Sequence, residues 1–266
     1  MFNSEYEMIN DNMSDSIIGG QKEKSCINHI WVINSIIKDQ LQQKSNPPII
    51  FQQYDYQQMF DSMSLMEACA DMYDMGLKNY KLQVVYKANK DVALSVKTPS
   101  GLTEERTIKQ IVMQGDTWAS TMASVQCDSF GKELLEDNVS FLYKYKGYVP
   151  IGILGQIDDL IGVTEAGFKA QQMNVFLNVK TANKYLQFGP NKCKSMVVAS
   201  IKTKFEYLNT KLEVDTWKVS YDTEGNIKED FNGKTAIEDV QEILYLGVVI
   251  SNDGEKKHQK YPTKTK

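Results

Sequence analysis

The stretch GQIDDLI at residues 155–161 places two adjacent aspartates, Asp158 and Asp159, between apolar residues. Apolar runs lie on both sides of the pair, at residues 148–155 and 160–163. This pattern is typical of a β-hairpin that carries its carboxylates at the tip. A lone Asp-Asp pair is most often a surface turn, but the flanking runs favour carboxylates that a sheet holds in one place.

A third carboxylate ends an apolar run about 100 residues earlier. The run IIFQQYD, residues 49–55, follows Pro47-Pro48 and predicts a strand that ends at Asp55. Carboxylates at the ends of two separate strands suit a pair of divalent cations about 3.5–4 Å apart, the arrangement used in phosphoryl transfer. Mg²⁺ takes one or two protein carboxylates and completes its coordination with substrate phosphates. Asp55 and Asp158 supply these two carboxylates, and Asp159 would be a further, looser ligand from the same hairpin as Asp158.

Four further residues lie at positions that suit a nucleotide site. Phe60 follows Asp55 where the chain leaves the strand, so its ring is either a core aromatic or a wall against a sugar 2′-hydroxyl. Gln114 and Gly115 precede a predicted helix, where a bare backbone and a helix N-terminus admit a phosphate; a plain turn is the alternative. Lys192 follows a predicted helix stop and is a candidate proton donor to a pyrophosphate leaving group.

Length and composition are those of a globular protein. The chain has 266 residues, of which 42% are hydrophobic and 24% charged, enough for one domain or two. Its four cysteines have no C-x-x-C spacing and predict reduced, buried thiols rather than a zinc site or a disulfide framework. No apolar stretch approaches about 18 residues, and the polar N-terminus is not a signal peptide. We expect an intracellular protein, nuclear or cytoplasmic, not secreted, without membrane contact.

Charge is unevenly distributed along the chain. The formal net charge is −4, which alone argues mildly against nucleic-acid binding. Residues 1–80 hold five lysines and eleven acidic residues, whereas residues 81–266 hold 25 basic and 23 acidic residues. The later lysines form either a phosphate-facing strip or an ordinary solvated surface. Arg106 is the single arginine of the sequence, so bidentate contacts to phosphate are scarce.

Periodicity and turn signals predict the remaining elements. Helices are predicted from Asn28 to Leu41, from the Ser64 cap to Gly76, from Asp116 or Thr117 to about Asn138, and from Glu165 to Phe188. Strands are predicted over Tyr80–Ala88, Val92–Thr98, Lys194–Ile201, Leu212–Tyr221 and Ile243–Ile250. Residues 1–17 lack apolar periodicity and are expected to be loose.

In this order the motifs resemble the reverse transcriptase domain of a non-LTR (LINE-type) retrotransposon. DYQQMFD at residues 55–61 is similar to the family's D-x-x-K-A-F-D, and QG at 114–115 to the start of Q-G-x-x-x-S-P-x-L. QIDD at 156–159 matches the position of the Y/F-A-D-D box. LQFGPNKC at 186–193 resembles L-x-x-N-x-x-K-T, and YLG at 245–247 resembles the primer-grip hairpin. The agreement covers most of the chain.

The resemblance implies an α+β right-hand polymerase fold, with a palm of antiparallel strands packed on helices and partial fingers. It implies DNA synthesis from dNTPs on RNA and DNA templates, starting at the 3′-hydroxyl of a DNA primer; no protein partner is identified. Asp55, Asp158 and Asp159 would hold two Mg²⁺ ions, with Mn²⁺ as the alternative ion. By the resemblance, Phe60 would be the sugar gate, Gln114 and Gly115 would contact the nucleotide and the template, and Lys192 would be the proton donor. Tyr245, Leu246 and Gly247 would form the primer grip.

The chain also departs from the family pattern. Gln57 or Gln58 stands where the family has a lysine, and Ala119-Ser120 replaces its serine and proline. Most of the fingers is missing before residue 18, and nothing resembling a thumb follows residue 254, so we expect a truncated domain.

We therefore divide the chain into a loose segment (1–17), a reverse transcriptase domain (18–253) and a basic tail (254–266). Two alternatives stay open. One is a catalytically inactive palm remnant, at most a weak nucleic-acid-binding or structural module. The other is an unrelated soluble domain with an incidental Asp-Asp pair.

Overall fold

A computed structural model of the chain describes residues 3–19, 21, 23–42, 47–108, 112–113, 118–136, 140–144, 148–165, 167–199, 212–221 and 227–254. Its helices are α1 (Asn3–Asn12), α2 (Cys26–Gln42), α3 (Met59–Ser62), α4 (Leu65–Asp74), α5 (Asn79–Asn89), α6 (Ala119–Glu136) and α7 (Gly167–Asn183). Its first strands are β1 (Ile49–Tyr54), β2 (Val92–Leu94), β3 (Lys97–Thr98), β4 (Gly101–Leu102), β5 (Arg106–Ile108), β6 (Phe141–Lys144), β7 (Tyr148–Ile151) and β8 (Ile153–Gln156). The later strands are β9 (Asp159–Thr164), β10 (Lys194–Val198), β11 (Glu213–Tyr221), β12 (Ile227–Ala236), β13 (Glu238–Asp239), β14 (Glu242–Tyr245) and β15 (Val248–Ser251).

The centre of the described fold is a five-stranded sheet in the order β13-β10-β1-β9-β8. All of its strand pairs are antiparallel except β10 with β13. β1 occupies the middle because its side chains are apolar on both faces. Ile49 and Phe51 enter the core on one face, Ile50 and Tyr54 enter it on the other, and each is at most 3% exposed. The predicted strand that leads to Asp55 is therefore confirmed.

Two hydrophobic cores cover the two faces of this sheet. One core lies under helices α1 and α3–α7 and includes Met72, Phe130 and Leu177. The other lies between the sheet, α2 and the hairpins β6–β7 and β14–β15, and includes Ile33 and Ile243. Packing helices on an antiparallel sheet is the arrangement of an α+β fold, so the predicted mixture of helix and sheet is confirmed. Within the described helices, no segment combines the length and hydropathy of a bilayer-spanning helix.

Most predicted helices form where the sequence signals place them. Ser64 caps α4 by accepting a hydrogen bond from the backbone N–H of Glu67 at 3.4 Å. Gly76 follows this helix with φ +104°, as a C-terminal glycine does. α7 ends at Asn183, earlier than predicted, because Leu186 donates its N–H back to Thr181 and closes the last turn.

The prediction of a strand over Tyr80–Ala88 is wrong, because these residues belong to helix α5. Leu82, Val85 and Tyr86 follow a spacing of three and four residues, and Val85 is buried against α4. Helical packing here outweighs the strand preference of the β-branched residues. The predicted strand Val92–Thr98 is present as two short pieces, β2 and β3, in two separate two-stranded pairs.

The expectation that residues 1–17 are loose is wrong for the described part of that segment. Residues 3–12 form α1, and Ile9 and Ile17 are both fully buried. Gly155 of β8 donates its N–H to Ser16, and Ile18 donates its N–H to Gly155, at 2.8 and 2.9 Å. The segment thus covers the edge of the sheet at β8, and these backbone bonds compensate for its weak apolar periodicity.

Candidate active site

Asp55 immediately follows β1 at one end of the central sheet. β1 pairs with β9 in a register that sets Tyr54, the residue before Asp55, opposite Leu160, the residue after Asp159, and the charge of Asp55 acts on Asp159. The backbone carbonyl of Asp55 accepts a hydrogen bond from Gly189 at 2.8 Å, which fixes the chain at this point. The structure therefore brings Asp55 next to the predicted aspartate pair.

The turn of the β8–β9 hairpin consists of Ile157 and Asp158, between the paired residues Gln156 and Asp159. Asp158 is exposed at the tip, as the sequence predicted. Ile157 has φ +58°, a left-handed conformation that costs roughly 1–2 kcal/mol in a residue other than glycine. Such strain persists only where neighbours hold the turn. Here the Cys127 thiol of α6 donates to the Ile157 carbonyl at 3.1 Å.

The three carboxylates lie within electrostatic reach of one another. Burial raises the pKa of Asp159, and the negative charges of Asp158 and Asp55 raise it further. Carboxylates that share a site in this way resist ionising together. A positive charge near the three carboxylates relieves that repulsion, and the Lys192 ammonium on Asp55 supplies one.

Lys192 reaches the same site from the loop between α7 and β10. Its Nζ donates to Oδ1 of Asp55 at 2.9 Å, and this hydrogen bond, with the charge of Asp55, raises the pKa of Lys192. The Tyr56 ring stacks on Phe188 with centroids 4.9 Å apart, which joins this loop to the chain that follows β1. The structure therefore brings Lys192 next to Asp55, although the two are 137 positions apart in the sequence. The role of Lys192 as a proton donor stays a prediction.

The donor set suits a hard cation only in part. Among the residues that the structure describes, no group of three or more His, Cys, Asp or Glu side chains is arranged to hold a metal ion. Mg²⁺, however, prefers carboxylate oxygen and needs only one or two such ligands from a protein. A cation at Asp55 would have to displace the Lys192 ammonium, which now occupies one of its oxygens.

Phe60 lies on the short helix α3, half-buried against the helical core. Gln58, just before this helix, has φ +52°, so the chain turns sharply out of β1 at this point. The predicted position of Phe60 beyond the strand is correct, and its role against a sugar stays a prediction. Gln114 and Gly115 lie outside the described residues.

Tyr245, Leu246 and Gly247 form the turn region of the β14–β15 hairpin. Leu246 and Gly247 have φ +50° and +77°, the pattern of a tight two-residue hairpin turn. Gln53 of β1 donates its side-chain amide to the Leu244 carbonyl at 2.9 Å. This bond ties the hairpin to the strand that ends at Asp55. The sequence predicted β structure over Ile243–Ile250, and the resemblance placed a hairpin at Tyr245, Leu246 and Gly247; the structure has two strands joined by a turn there.

Two polar residues of α2 also approach the hairpins and were missed in the sequence. His29 is 3% exposed, and its Nδ1 lies 3.2 Å from the hydroxyl of Tyr245. Burial lowers the pKa of His29. The Cys26 thiol donates to the side-chain oxygen of Gln156. The available signal was helical spacing, because His29 lies one turn before the buried Ile33.

Comparison with known proteins gives matches to solved structures alone. No known family profile matches the chain, and no curated protein matches it in sequence. Apo telomerase from Candida tropicalis matches with a TM-score of 0.54 and 12% identity, over 86% of this chain and 40% of that chain. Telomerase from Candida albicans, in complex with a TWJ fragment of telomeric RNA, matches with a TM-score of 0.53 and 14% identity, over 85% and 38%. The corresponding Candida tropicalis complex gives 0.52 and 12%, over 84% and 36%.

This likeness concerns the fold. The chain spans about two fifths of the length of the telomerase chains that it matches. At such low identity the shared feature is the course of the backbone, which follows part of the telomerase chains.

Proposed function

We propose that this chain is a reverse transcriptase domain of the non-LTR retrotransposon type. It would join dNTPs to the 3′-hydroxyl of a DNA primer under the direction of an RNA template. The observation that supports this most is that Asp55 directly follows Tyr54, whose partner Leu160 is next to Asp159 on the adjacent strand, with Asp158 in the turn beside it. Carboxylates from two strands at one end of a telomerase-like sheet suit phosphoryl transfer better than a structural role.

Each of two Mg²⁺ ions, or Mn²⁺ in their place, would need only one or two of the carboxylates of Asp55, Asp158 and Asp159, and Lys192 would have to leave Asp55. When bound, such ions activate the attacking hydroxyl and neutralise charge on the leaving pyrophosphate. The chain supplies the rest through positioning: β1 fixes Asp55, and the strained turn at Ile157 fixes the direction of Asp158. Lys192, whose ammonium is paired with Asp55, would give a proton to the pyrophosphate once a cation displaces it from that carboxylate.

The remaining roles follow the resemblance. Phe60 would stand against the sugar of the incoming nucleotide, and Gln114 with Gly115 would contact the nucleotide and the template. In the primer grip, Tyr245 is fully buried, so it would support the turn from inside. The exposed Gly247 and the half-exposed Leu244 are then the parts of the hairpin that can face a primer.

We further propose that the central sheet with α4, α6 and α7 is the palm, and that part of the fingers precedes it. The reverse transcriptase domain then begins before residue 18, because α1 belongs to the same core. Residues 255–266 of the basic tail lie outside the described residues. The RNA template, DNA primer and dNTPs are the proposed partners.

Primer extension tests this proposal. A DNA primer on an RNA template is incubated with dNTPs and Mg²⁺, and Asp158→Asn serves as the matched variant. Asp158 is exposed in the turn, so its amide analogue should fold normally. Extension by the natural chain that is lost in Asp158→Asn would support the proposal.

The alternative is a catalytically inactive remnant of the palm. The scarcity of arginine and the ion pair that occupies Asp55 favour it. Folded protein that does not extend the primer would support this alternative and contradict the polymerase. A titration with single-stranded RNA at increasing salt then decides whether the remnant still binds nucleic acid.

A further inference from the structure

His29 connects three parts of the molecule that are far apart in the sequence. It belongs to α2, its Nδ1 lies 3.2 Å from the Tyr245 hydroxyl, and its Nε2 lies 3.3 Å from the backbone carbonyl of Asp15. The ring is 3% exposed and Tyr245 is fully buried, so water does not compete for their contact, whereas the contact with Asp15 is partly buried. Both ring nitrogens of this histidine are therefore used.

The partners determine which nitrogen carries the proton. A backbone carbonyl only accepts hydrogen bonds, so the nitrogen that faces Asp15, Nε2, must be the N–H donor. In a neutral imidazole the other nitrogen, Nδ1, is then an acceptor. The hydroxyl of Tyr245 must donate to it, and this fixes the direction of the Tyr245 O–H bond.

The contact between His29 and Tyr245 lies next to the turn of the β14–β15 hairpin. Tyr245 is the last residue of β14, directly before the tight turn at Leu246 and Gly247. The same hairpin is tied to β1 by the bond from Gln53 to the Leu244 carbonyl. One polar bond thus fixes the hairpin to the strand of Asp55, and a second fixes it to α2.

We propose that His29 is a positioning residue: it holds Tyr245 and thereby sets the β14–β15 turn at the height where a primer terminus would meet the carboxylates. This inference rests on the proposed polymerase function. His29 itself is buried and touches no substrate. Its loss should therefore weaken the use of primer–template more than it slows the chemical step.

Two substitutions of His29 separate its two hydrogen bonds. In His29→Asn, the amide oxygen takes the place of Nδ1 and can still accept from Tyr245. In His29→Gln, the amide nitrogen takes the place of Nε2, so the bond to Asp15 is kept and the acceptor for Tyr245 is lost. Gln40→Met is the matched control, because it removes another buried polar bond of α2, the one from Gln40 to the Pro47 carbonyl.

We expect His29→Gln to raise the KM for primer–template about 5- to 10-fold, the effect of one lost buried hydrogen bond, with kcat within about twofold. Tyr245→Phe should do the same, and the double variant should be no worse than either single variant. His29→Asn should stay near the natural KM, and so should Gln40→Met. Equal KM values for His29→Asn and His29→Gln would overturn the proposal, since a merely space-filling histidine predicts that result.

A measurement that does not depend on enzyme activity separates the role of His29 from the proposed function. The chain has two histidines, His29 and His258, so nitrogen NMR of the imidazoles can be assigned with a His258→Gln variant. We expect the signals of a neutral ring protonated at Nε2 at pH 7, perturbed at Nδ1 by Tyr245→Phe. A ring protonated at Nδ1 would contradict the inference even in an active enzyme. If the NMR spectra show the expected tautomer but the protein does not extend a primer, the hydrogen bond between His29 and Tyr245 is supported and the polymerase proposal is refuted.

Discussion

Gly162 lies where the central sheet has no room for a side chain. A Cβ at this position would come within 2.4 Å of Sδ of Met173 and 3.1 Å of a ring carbon of Tyr54. We expect Gly162→Ala to lower the free energy of unfolding by about 1 kcal/mol, the lower end of the cost of overpacking a core, because the flexible Met173 side chain can give way while the buried Tyr54 ring cannot. Urea denaturation measures this change.

Gly131 of α6 is the matched control. A Cβ built there meets no other atom within 4 Å. Alanine in place of glycine inside a helix is favourable by roughly 0.5–1 kcal/mol. Gly131→Ala should therefore stabilise the protein, and a shift in the same direction for both variants would contradict the packing argument.

Asp159 contributes to the proposed chemistry at a cost in stability. Because its pKa is raised by burial and by the neighbouring carboxylates, the ionised form is less favourable in the folded chain than in the unfolded chain. This cost is present at pH 7 and disappears as the pH falls through the raised pKa. Asp159→Asn should thus increase the free energy of unfolding at pH 7 by a few tenths to about 1 kcal/mol.

The pH dependence of the stability change in Asp159→Asn serves as an internal control. The gain in stability should shrink as the pH falls through the raised pKa of Asp159, because the natural carboxyl group then becomes protonated as well. A loss of stability at pH 7, or a gain that does not depend on pH, would show that the carboxylates do not repel one another as described.

At the scale of elements, an ion pair joins the end of α7 to α4. Lys184 donates to both carboxylate oxygens of Asp71, and their side chains are only 14% and 10% exposed. Burial raises the pKa of Asp71 even though Lys184 opposes this shift. Lys184→Met would leave a nearly buried carboxylate without its partner, so we expect a loss of about 3 kcal/mol in urea denaturation.

A second ion pair provides the comparison. Lys169 of α7 pairs at 3.3 Å with Glu165, which precedes the helix, and both are more exposed than the first pair. Lys169→Met should change stability by less than about 0.5 kcal/mol. The double variant Lys184→Met/Asp71→Leu should recover most of the stability that Lys184→Met loses. Equal losses for Lys184→Met and Lys169→Met would refute the role of burial.

Elements with local signals were predictable from the sequence, and elements that depend on distant partners were not. The Ser64 cap and Gly76 bracket α4 through their own backbone chemistry. α5 was mistaken for a strand because Val84 and Val85 favour strands, whereas the helix forms by packing on α4. Residues 1–17 carry no local signal of order because their partner, Gly155, lies far along the chain.

The residues of the candidate site also divide into those with a local sequence signal and those that depend on distant partners. Asp55, Asp158 and Asp159 could be found because carboxylates at strand ends are a chemical signal in themselves. The contact of His29 with Tyr245 spans 216 positions, and the bond of Gln53 to Leu244 spans 191. No local pattern encodes such contacts, so the residues that support the site emerge only in the folded chain.

For the whole molecule, the N-terminal segment is part of the fold. Deleting residues 1–18 would remove Ile9 and Ile17 from the core and uncover the edge of β8. Each buried isoleucine cut back to alanine costs about 2–5 kcal/mol, and a domain has only about 5–15 kcal/mol of net stability. We therefore expect the shortened chain to lose cooperative urea unfolding.

Point variants keep this prediction testable if the shortened chain cannot be purified. Ile17→Ala in the full chain should cost about 2–5 kcal/mol. Ile27→Ala is the control, because Ile27 is 74% exposed and should tolerate the change. Similar values for the two variants would mean that the segment is not docked.

The central position of β1 also determines when this protein can fold during its synthesis. The two strands that pair with β1 begin at Asp159 and Lys194, so the ribosome completes the middle of the sheet long before its neighbours exist. Until then Ile49, Ile50 and Phe51 are an apolar segment without partners and a natural target for chaperones. Contacts of such long sequence separation form slowly. The yield of soluble protein should accordingly rise when translation is slowed by cooling or when chaperones are supplied together with the chain.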